Sequence, residues 1–437
     1  MDGAPRPNLL EEESRPIHEL GPRPDRSIKV LSVSLFNHLD GVTNRVLLIA
    51  RSLRRFGVET VVVTPKAPGQ YAREASIDNR TYQVALSVPQ ELLGIESLKV
   101  NLMWLLSLFR STFIIAQIID RESIDIVHVN GLLSLQAALA AALTRRKLVW
   151  HLISSMYPSL VVLLLMPFVN LVASRMILVA NSMRSYYRVK ERDIQEGRVV
   201  IIHEPVDTDR FDPAKVSKER IEALKQKFNI PPGTKIFGSV GSITPQKGFE
   251  YLVRAAQILR REMRTQVIFV IAGRVVQSRA LCARRLIAEI SRHGVEENFV
   301  FADWVNDMVP FYAMLDLLVL PSIAEGTPLA ILEAMSMQVP VVASNVGGIS
   351  EQVLHEQTGL LVNARDSNAI ASAIVRLCND GQLQAMSKRA REYVVSAYSL
   401  KRCVSEHFRM YSSLVGQGRL GHVSSSRVKS ARWRSNE

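Results

Sequence analysis

Two glutamates flank a predicted helix start in the second half of the chain, where they could bind hydroxyl groups. An apolar run at 315–320 ends at Pro321, and the loop after it carries Glu325. Pro328 suits the first position of a helix, because the N–H that proline lacks has no partner there in any case. A helix start also favours phosphate, through its free N–H groups and its dipole. Glu333 lies further along this helix, so the two carboxylates could accept hydrogen bonds from a sugar and a ribose of one extended ligand.

A glycine-rich loop, GSVGSITPQKG at 238–248, follows one predicted strand and precedes a predicted helix. Glycines at the end of a strand let the backbone approach phosphate closely. Lys247 adds a positive charge suited to a leaving diphosphate. Such a pattern also fits a simple tight turn, so its meaning depends on its pairing with the Glu325 loop.

Short β-branched runs alternate with helical patterns from residue 28 to 400. This alternation predicts parallel sheets with helices on both faces, and 437 residues favour two domains over one. The joint is expected at 204–213, with helices at 42–56, 249–263 and 328–337. The predicted strands are 28–35, 59–64, 124–129, 147–153, 175–180 and 199–202 in the first domain, and 235–240, 267–272, 299–301, 317–320 and 339–343 in the second.

The composition of the chain limits the classes of partner that it could bind. The net charge of +13 favours anionic ligands or surfaces, and no motif supports nucleic-acid binding. Three scattered cysteines without a CxxC spacing argue against a disulfide framework or a zinc site. The first residues lack a basic stretch followed by an apolar core, so no signal peptide is expected. We therefore expect a cytoplasmic protein, with peripheral contact at the inner face of a membrane as an open alternative.

The two loops belong to a wider resemblance. The E-x7-E pattern from Glu325 to Glu333 is the signature of the large retaining glycosyltransferase family with the GT-B fold, glycosyl transferases group 1. The resemblance continues in NVGGISE at 345–351 and TGLLV at 358–362, and is weaker in DGVT at 40–43, DIVH at 125–128 and VWH at 149–151. It implies two doubly wound Rossmann-like domains facing a central cleft. It also implies transfer of a hexosyl group from a UDP-, GDP- or ADP-sugar to a glycan, polysaccharide or lipid-linked acceptor.

The resemblance assigns roles to residues. Glu325 would hold the donor sugar near its anomeric carbon, Glu333 would bind the ribose, and Lys247 would stabilise the departing diphosphate. His151 would lie in the cleft beside the sugar, and Gly41 would let the first loop close over the donor. The expected catalytic residues are thus Glu325, His151 and Lys247. The expected donor-binding residues are Gly41, Gly241, Ser242, Lys247, Arg274, Gly326, Thr327, Pro328, Leu329 and Glu333.

Some positions depart from the family pattern. Ser242 stands where an arginine is usual, and we hypothesise that Arg274 supplies part of the missing charge. These departures leave the choice of donor open and keep a non-catalytic, transferase-like subunit as an alternative. An epimerase or a phosphorylase on the same fold is a further alternative without a recognisable signature. The other departures are Asp40, Asn130, Glu204 and Gln338.

No metal or other cofactor is expected, because Lys247 and the helix start can carry the charge of the leaving group. The acidic triplet at 207–209 lies in the joint and is interpreted as a turn and cap. The family mechanism suggests front-face attack with retention, in which the departing phosphate accepts the acceptor's proton. Acceptor contacts are expected from loops near 64–99 and 154–157.

The remaining segments are tails and apolar stretches. Residues 1–27 and the basic 416–437 are expected to be disordered, the domains to span 28–204 and 205–400, and a helix at 401–415 to pack back on the first domain. Residues 148–174 contain no Lys, Arg, Asp or Glu. We interpret 159–173 as a buried core helix, with a membrane-facing helix as the alternative. The apolar stretches at 100–119 and 159–173 make a lipid-linked or polysaccharide acceptor plausible.

Overall fold

The computed structural model describes residues 26–35, 37, 41–66, 69–86, 95–154, 157–273, 280–379, 381 and 383–420, without the side chains of 95–106, 280 and 417–420. Two parallel sheets account for the architecture. The first has seven strands in the order β3-β2-β1-β4-β5-β6-β7, and the second has six in the order β10-β9-β8-β11-β12-β13. Helices cover both faces of each sheet, so the predicted GT-B arrangement of two doubly wound α/β domains is confirmed.

The first domain contains β1 (Ile28–Val33), β2 (Val58–Pro65), β3 (Arg80–Val84), β4 (Ile126–Asn130), β5 (Lys147–Leu152), β6 (Arg175–Leu178) and β7 (Val199–Ile201). Its helices are α1 (Gly41–Leu53), α2 (Gln70–Asp78), α3 (Ile95–Glu122), α4 (Leu135–Leu143), α5 (Ser159–Val172), α6 (Met183–Tyr186) and α7 (Glu191–Gln195).

The second domain contains β8 (Lys235–Val240), β9 (Val267–Ala272), β10 (Phe299–Asp303), β11 (Leu317–Leu320), β12 (Val341–Ser344) and β13 (Leu360–Val362). Its helices are α8 (Lys218–Lys227), α9 (Phe249–Glu262), α10 (Ala280–His293), α11 (Met308–Ala313), α12 (Leu329–Ser336), α13 (Ile349–Gln352), α14 (Ser367–Asn379) and α15 (Leu383–Tyr398), and α16 (Leu400–Leu420) closes the described chain.

Strands β9 and β11 are apolar along their whole length because both of their faces are covered. All six residues of β9 are buried, as are all four of β11. Residues that alternate along these strands pack against helices on opposite faces, which is the pattern of a parallel sheet in an α/β domain. The sequence missed β3, which lies in a segment expected to be an acceptor loop, and the short β13.

The last helix returns to the first domain. Val206 of the joint pairs with Ser399, and α16 then packs against β1 and α1. Phe408, Tyr411 and Leu414 are buried in this contact with residues of the first sheet. The helix runs to Leu420, so residues 416–420, which the sequence placed in a disordered tail, are helical.

Helix α5 corrects another expectation. Only Val162, Met166 and Val169 are fully buried. The opposite side of the helix is exposed, with Leu164 at 67% and Leu171 at 82%. The predicted core helix is therefore covered on one side only. Within the described residues, no helix combines the length and apolarity needed to span a bilayer.

Candidate active site

The two predicted loops lie side by side because β8 and β11 are neighbouring parallel strands. The carboxyl ends of parallel strands meet at one edge of the sheet, which is where ligands bind in open α/β sheets. The Gly241 loop leaves β8 at this edge, and the Glu325 loop leaves β11 there. The amide of Ile323 donates to the carbonyl of Gln246 (2.7 Å), so the loops are also bonded directly.

Lys247 and Glu325 form the centre of this edge. Lys247 Nζ lies 2.6 Å from Glu325 Oε1, and the hydroxyl of Ser322 donates to the same oxygen at 2.7 Å. The two charged side chains are only 23% and 11% exposed, so water screens them less than it would at the surface. The structure thus brings together two of the three predicted catalytic residues.

Gly241 makes room for the lysine. Its φ of +146° is a conformation that L side chains rarely adopt. A β-carbon at this position would lie 2.7 Å from Lys247 Cε, closer than real contacts allow. Lys247 therefore extends along the backbone of the loop, and only glycine permits this path. The neighbouring Ser242 is half-buried in the same loop.

The helix start after Glu325 is open to a ligand. No hydrogen bond among the described residues uses the amide of Gly326 or Thr327. Pro328 precedes the helix, Leu329 is its first residue, and no side chain caps it. Because α12 has eight residues, its dipole adds positive character to these free amides. This end of the helix has the groups that bind phosphate.

Glu333 lies within the same helix and is half-buried. Its Oε2 accepts a hydrogen bond from the hydroxyl of Tyr312 on α11 (2.7 Å). Burial raises the pKa of this carboxyl from 4.5 to about 7, although the Tyr312 hydrogen bond acts in the opposite direction. The sequence did not identify Tyr312, because nothing in its spacing relates it to α12.

The first domain faces the helix start across the cleft. A β-carbon on Gly326 would lie 3.2 Å from the carbonyl oxygen of Ile153, and one on Gly41 would lie 3.5 Å from Leu329 Cδ1. Gly41 is the first residue of α1, so the amino ends of α1 and α12 approach each other. The Glu351 carboxylate accepts the amides of two residues of the first domain, at 2.6 and 2.7 Å. The predicted donor site therefore lies between the domains.

Known proteins resemble both halves of the chain. The model of the family Glycosyltransferase Family 4 matches residues 39–210, and that of Glycosyl transferases group 1 matches residues 234–380. Residues 234–380 therefore form a domain of the group 1 glycosyltransferase family. Together the two matches span the cleft and include every predicted site residue.

The names of the relatives of this chain specify different sugars. The chain is 29% identical over 236 residues to UDP-Gal:alpha-D-GlcNAc-diphosphoundecaprenol alpha-1,3-galactosyltransferase of Escherichia coli. That match covers 52% of this chain and 57% of the relative. It is 32% identical over 220 residues to the lipopolysaccharide core biosynthesis mannosyltransferase LpcC of Rhizobium leguminosarum bv. viciae, covering 50% of this chain and 61% of that protein. The matched segments thus span less than two thirds of these relatives.

Solved structures share the fold over most of the chain. A glycosyltransferase from Rickettsia africae superposes with a TM-score of 0.74 at 19% identity, covering 89% of this chain and 99% of that one. HepE from Anabaena, in complex with UDP and glucose, gives a TM-score of 0.72 at 20% identity and covers 88% of this chain and 100% of its own. At these identities the likeness shows the fold alone.

The resemblance implied that His151 lies in the cleft beside the sugar. In the structure its side chain is buried instead. Its side chain is 2% exposed and faces a buried cluster under α1 and α16. Arg45 Nη1 lies 3.0 Å from its Nε2, and His128 Nε2 lies 3.2 Å from its Nδ1. The main chain nevertheless stays near the donor site, because Ile153, two residues later, is the residue that approaches Gly326. The physical reason is strand alternation, which turns His151 toward α1 and α16.

Two other positions singled out by the sequence, Arg274 and Asp40, lie outside the described residues. Gln338, where the family has glycine, adopts a φ of +57° just beyond the end of α12. This left-handed position explains the usual glycine. It lies at the far end of α12 from the helix start, so this departure concerns the helix end and not the donor site.

Proposed function

We propose that this glycosyltransferase transfers a hexosyl group, with retention of configuration, from a nucleoside-diphosphate sugar to a glycan or lipid-linked acceptor. The observation that carries the proposal is the Lys247–Glu325 pair at the open start of α12, opposite Gly41. It combines a cation, two free amides and a carboxylate in one partly buried position. These are the groups needed to bind a diphosphate and a sugar together.

The donor would lie along α12. Its diphosphate would bind at the amides of Gly326 and Thr327 and at Lys247. Its ribose would reach Glu333, which lies further along the same helix. Donor binding would then separate Lys247 from Glu325, because the lysine turns to the phosphates while the carboxylate accepts hydrogen bonds from the sugar hydroxyls.

The reaction consists of glycosyl transfer with a charged leaving group. As the bond from the anomeric carbon to the phosphate oxygen breaks, negative charge accumulates on that oxygen, and the preorganised cation and amides stabilise it. The acceptor hydroxyl attacks from the same face and passes its proton to the departing phosphate. Contact between the domains would exclude water and limit hydrolysis of the donor.

This chemistry needs no metal ion, because protein groups carry the charge. The acidic residues of the joint have another role. Asp207 Oδ1 accepts the backbone amides of Asp209 and Arg210, at 3.2 and 3.1 Å, and so caps a turn. Adding a chelator is therefore expected to leave turnover unchanged.

A lipid-linked acceptor is supported by the name of the E. coli relative, whose acceptor is alpha-D-GlcNAc-diphosphoundecaprenol. The proposed setting is the cytoplasmic side of a membrane, in peripheral contact with it, where activated sugars are available. Helix α5 supports this setting, because its exposed side is apolar.

The test is Glu325→Gln. We expect loss of nucleotide release in the presence of acceptor, while the variant unfolds at the temperature of the wild type. Glu356→Gln is the matched control, because Glu356 belongs to the same domain and pairs with Arg376 at the surface. Full turnover by Glu325→Gln would refute the assignment.

A thermal-shift screen with UDP-, GDP- and ADP-sugars would identify the donor. Stabilisation by one class, reduced in Lys247→Met, is the expected result. Ser242 favours one alternative, a subunit that binds without turnover. In that case the same nucleotide would stabilise the wild type, but no acceptor would elicit nucleotide release.

A further inference from the structure

The outer side of α5 is apolar and uncovered. Leu160, Leu163, Leu164 and Leu171 are 64%, 46%, 67% and 82% exposed, and Pro167 between them is exposed as well. Their spacing of three, four and seven residues places them on one side of the helix. We call them the outer stripe. The buried residues of α5 form the opposite stripe, which packs on the sheet.

A helix that is apolar on all sides is normally buried on all sides. Four large leucines on one exposed stripe are more than scattered surface residues, and such patches mark interaction surfaces. Helices α3 and α4 cover the same face of the sheet as α5. Phe109, Phe113 and Leu143 on these helices are also exposed, at 63%, 65% and 62%.

The charges of this surface are mostly positive. Residues 126–174 contain no Asp or Glu, and residues 100–119 contain Arg110 as their only charged residue. Arg145, Arg146 and Lys147 follow α4 directly and are all exposed. We call these three the basic corner. Two acids lie at the same end of the sheet: Asp120 is exposed on α3, and Asp125 precedes the strand partner of Lys147 and pairs with Arg26. An apolar stripe beside a mostly basic corner complements a surface that is apolar inside and negative at its boundary.

We propose that the outer stripe and the basic corner dock the protein on a bilayer containing anionic lipid, with the leucines at the boundary between headgroups and acyl chains. Amphipathic helices bind in this way, and Lys and Arg near the surface add electrostatic attraction. A two-fold pairing of two copies through the same face would bring two basic corners together with few acids to pair with them. Anionic headgroups can pair with each of these cations.

Docking by this face would also bring the bilayer to the cleft, a consequence that rests on the proposed function. Helix α5 begins six residues after Ile153, whose carbonyl approaches Gly326. Hydrogen bonds from Tyr186 and Tyr187 to the carbonyls of Tyr157 and Ser154 (2.6 and 2.5 Å) hold the ends of the connection. A lipid-linked acceptor would then reach the donor site from the membrane surface.

The experiment is flotation of the full-length protein with vesicles of phosphatidylcholine alone or with phosphatidylglycerol. We expect binding to the anionic vesicles and at least tenfold weaker partitioning when the outer stripe is polar, an order of magnitude typical of losing exposed leucines from an interface. The stripe variant is Leu160→Gln, Leu163→Gln, Leu164→Gln and Leu171→Gln. Its matched control is Leu281→Gln with Ile287→Gln on α10, two residues that are 55% and 54% exposed in the other domain.

The basic corner is tested separately with Arg145→Gln, Arg146→Gln and Lys147→Gln, against Arg284→Gln with Arg285→Gln on α10. The corner variant should lose the preference for anionic vesicles, and added salt should do the same to the wild type. Donor-induced thermal stabilisation checks that each variant is folded.

Three results would overturn the proposal. They are failure of the wild type to float, equal flotation of the stripe variant and its control, or a wild-type dimer in solution that the stripe variant converts to monomer. The outcome does not depend on catalysis. Glu325→Gln should float like the wild type, so loss of turnover with intact flotation separates the docking surface from the proposed reaction.

Discussion

Glu333 allows the donor site to be tested through its ionisation. Burial raises its pKa from 4.5 to about 7. A carboxyl whose pKa is higher in the folded than in the unfolded chain stabilises the fold most below pH 4.5, and this contribution is lost as the pH rises through 7. This rise in pKa corresponds to a contribution of at most about 3 kcal/mol to the free energy of unfolding.

The perturbation is Glu333→Gln, which keeps the size of the side chain and removes its charge. Urea unfolding would be measured at pH 5 and pH 8. At pH 5 the variant and the wild type should have similar free energies of unfolding. At pH 8 the variant should be more stable, by at most about 3 kcal/mol. Glu356→Gln is the control, because Arg376 lowers the pKa of Glu356 and its pH dependence has the opposite sign. A difference between Glu333→Gln and wild type that is the same at both pH values would refute the reasoning.

The ionisation of Glu333 should also govern the affinity for the donor nucleotide. Ribose hydroxyls donate hydrogen bonds best to a carboxylate, so calorimetric affinity for the donor nucleotide should rise between pH 6 and pH 8. Phosphate groups also titrate in this range, and Glu333→Gln therefore serves as the reference. Tyr312→Phe removes the hydrogen bond that lowers the pKa of Glu333 and should move the midpoint to higher pH. An equal pH dependence in Glu333→Gln would show that the ribose does not contact this residue.

Three further predictions concern the lysine, the domain contact and the buried histidines. Gly241→Ala should lower kcat/KM at least about tenfold by displacing Lys247. Gly233 also has a positive φ, of +79°, but open space around it, so Gly233→Ala should leave kcat/KM unchanged; equal losses would contradict this. Glu351→Gln should weaken the contact with two amides of the first domain. The radius of gyration measured by X-ray scattering without donor should then increase, and an unchanged radius would argue against this role of Glu351. Burial lowers the pKa of His407 from 6.5 to about 4, so the free energy of unfolding of the wild type should fall as the pH drops from 7 to 5. His407→Gln should make this decrease smaller in urea unfolding, and an unaltered decrease would count against the prediction.

The central strands of the second domain were predictable from sequence because they are buried on both faces. Strands β8, β9 and β11 have the predicted bounds, and β9 and β11 are uninterrupted apolar runs with clear ends. Strand β3 was missed for the opposite reason. It lies at the sheet edge, and most of its RTYQV residues are only partly buried or exposed. Its composition therefore resembles that of a loop.

Composition alone also could not decide which side of α5 is covered. The buried and exposed stripes are equally apolar, so only the position of the sheet distinguishes them. The Lys247–Glu325 contact was predictable in outline, because neighbouring parallel strands end at one edge. The contact between Glu333 and Tyr312 depends on how α11 packs beside α12, which no local pattern specifies.

Two of the departures from the family pattern meet at one buried arginine. Arg45 is 3% exposed, and a guanidinium at such a depth needs a counter-charge and hydrogen-bond acceptors. Glu204 Oε1 accepts from its Nη1 at 2.8 Å, and Asn130 Oδ1 accepts from its Nη2 at 2.6 Å. Asn130 and Glu204, which differ from the family separately along the sequence, are thus partners of the same side chain.

This shared arginine changes what the two departures mean for the chemistry. Because Arg45 donates to Nε2 of His151, the proton of His151 lies on Nδ1 and points to His128. Nδ1 of His128 in turn lies 2.5 Å from the hydroxyl of Tyr411 on the last helix. The departures therefore hold His151 in one tautomer within a network that includes α16, and they leave the Lys247–Glu325 loops untouched. Asn130 and Glu204 alter how the first domain supports the cleft, whereas Ser242 is the departure that concerns the diphosphate itself.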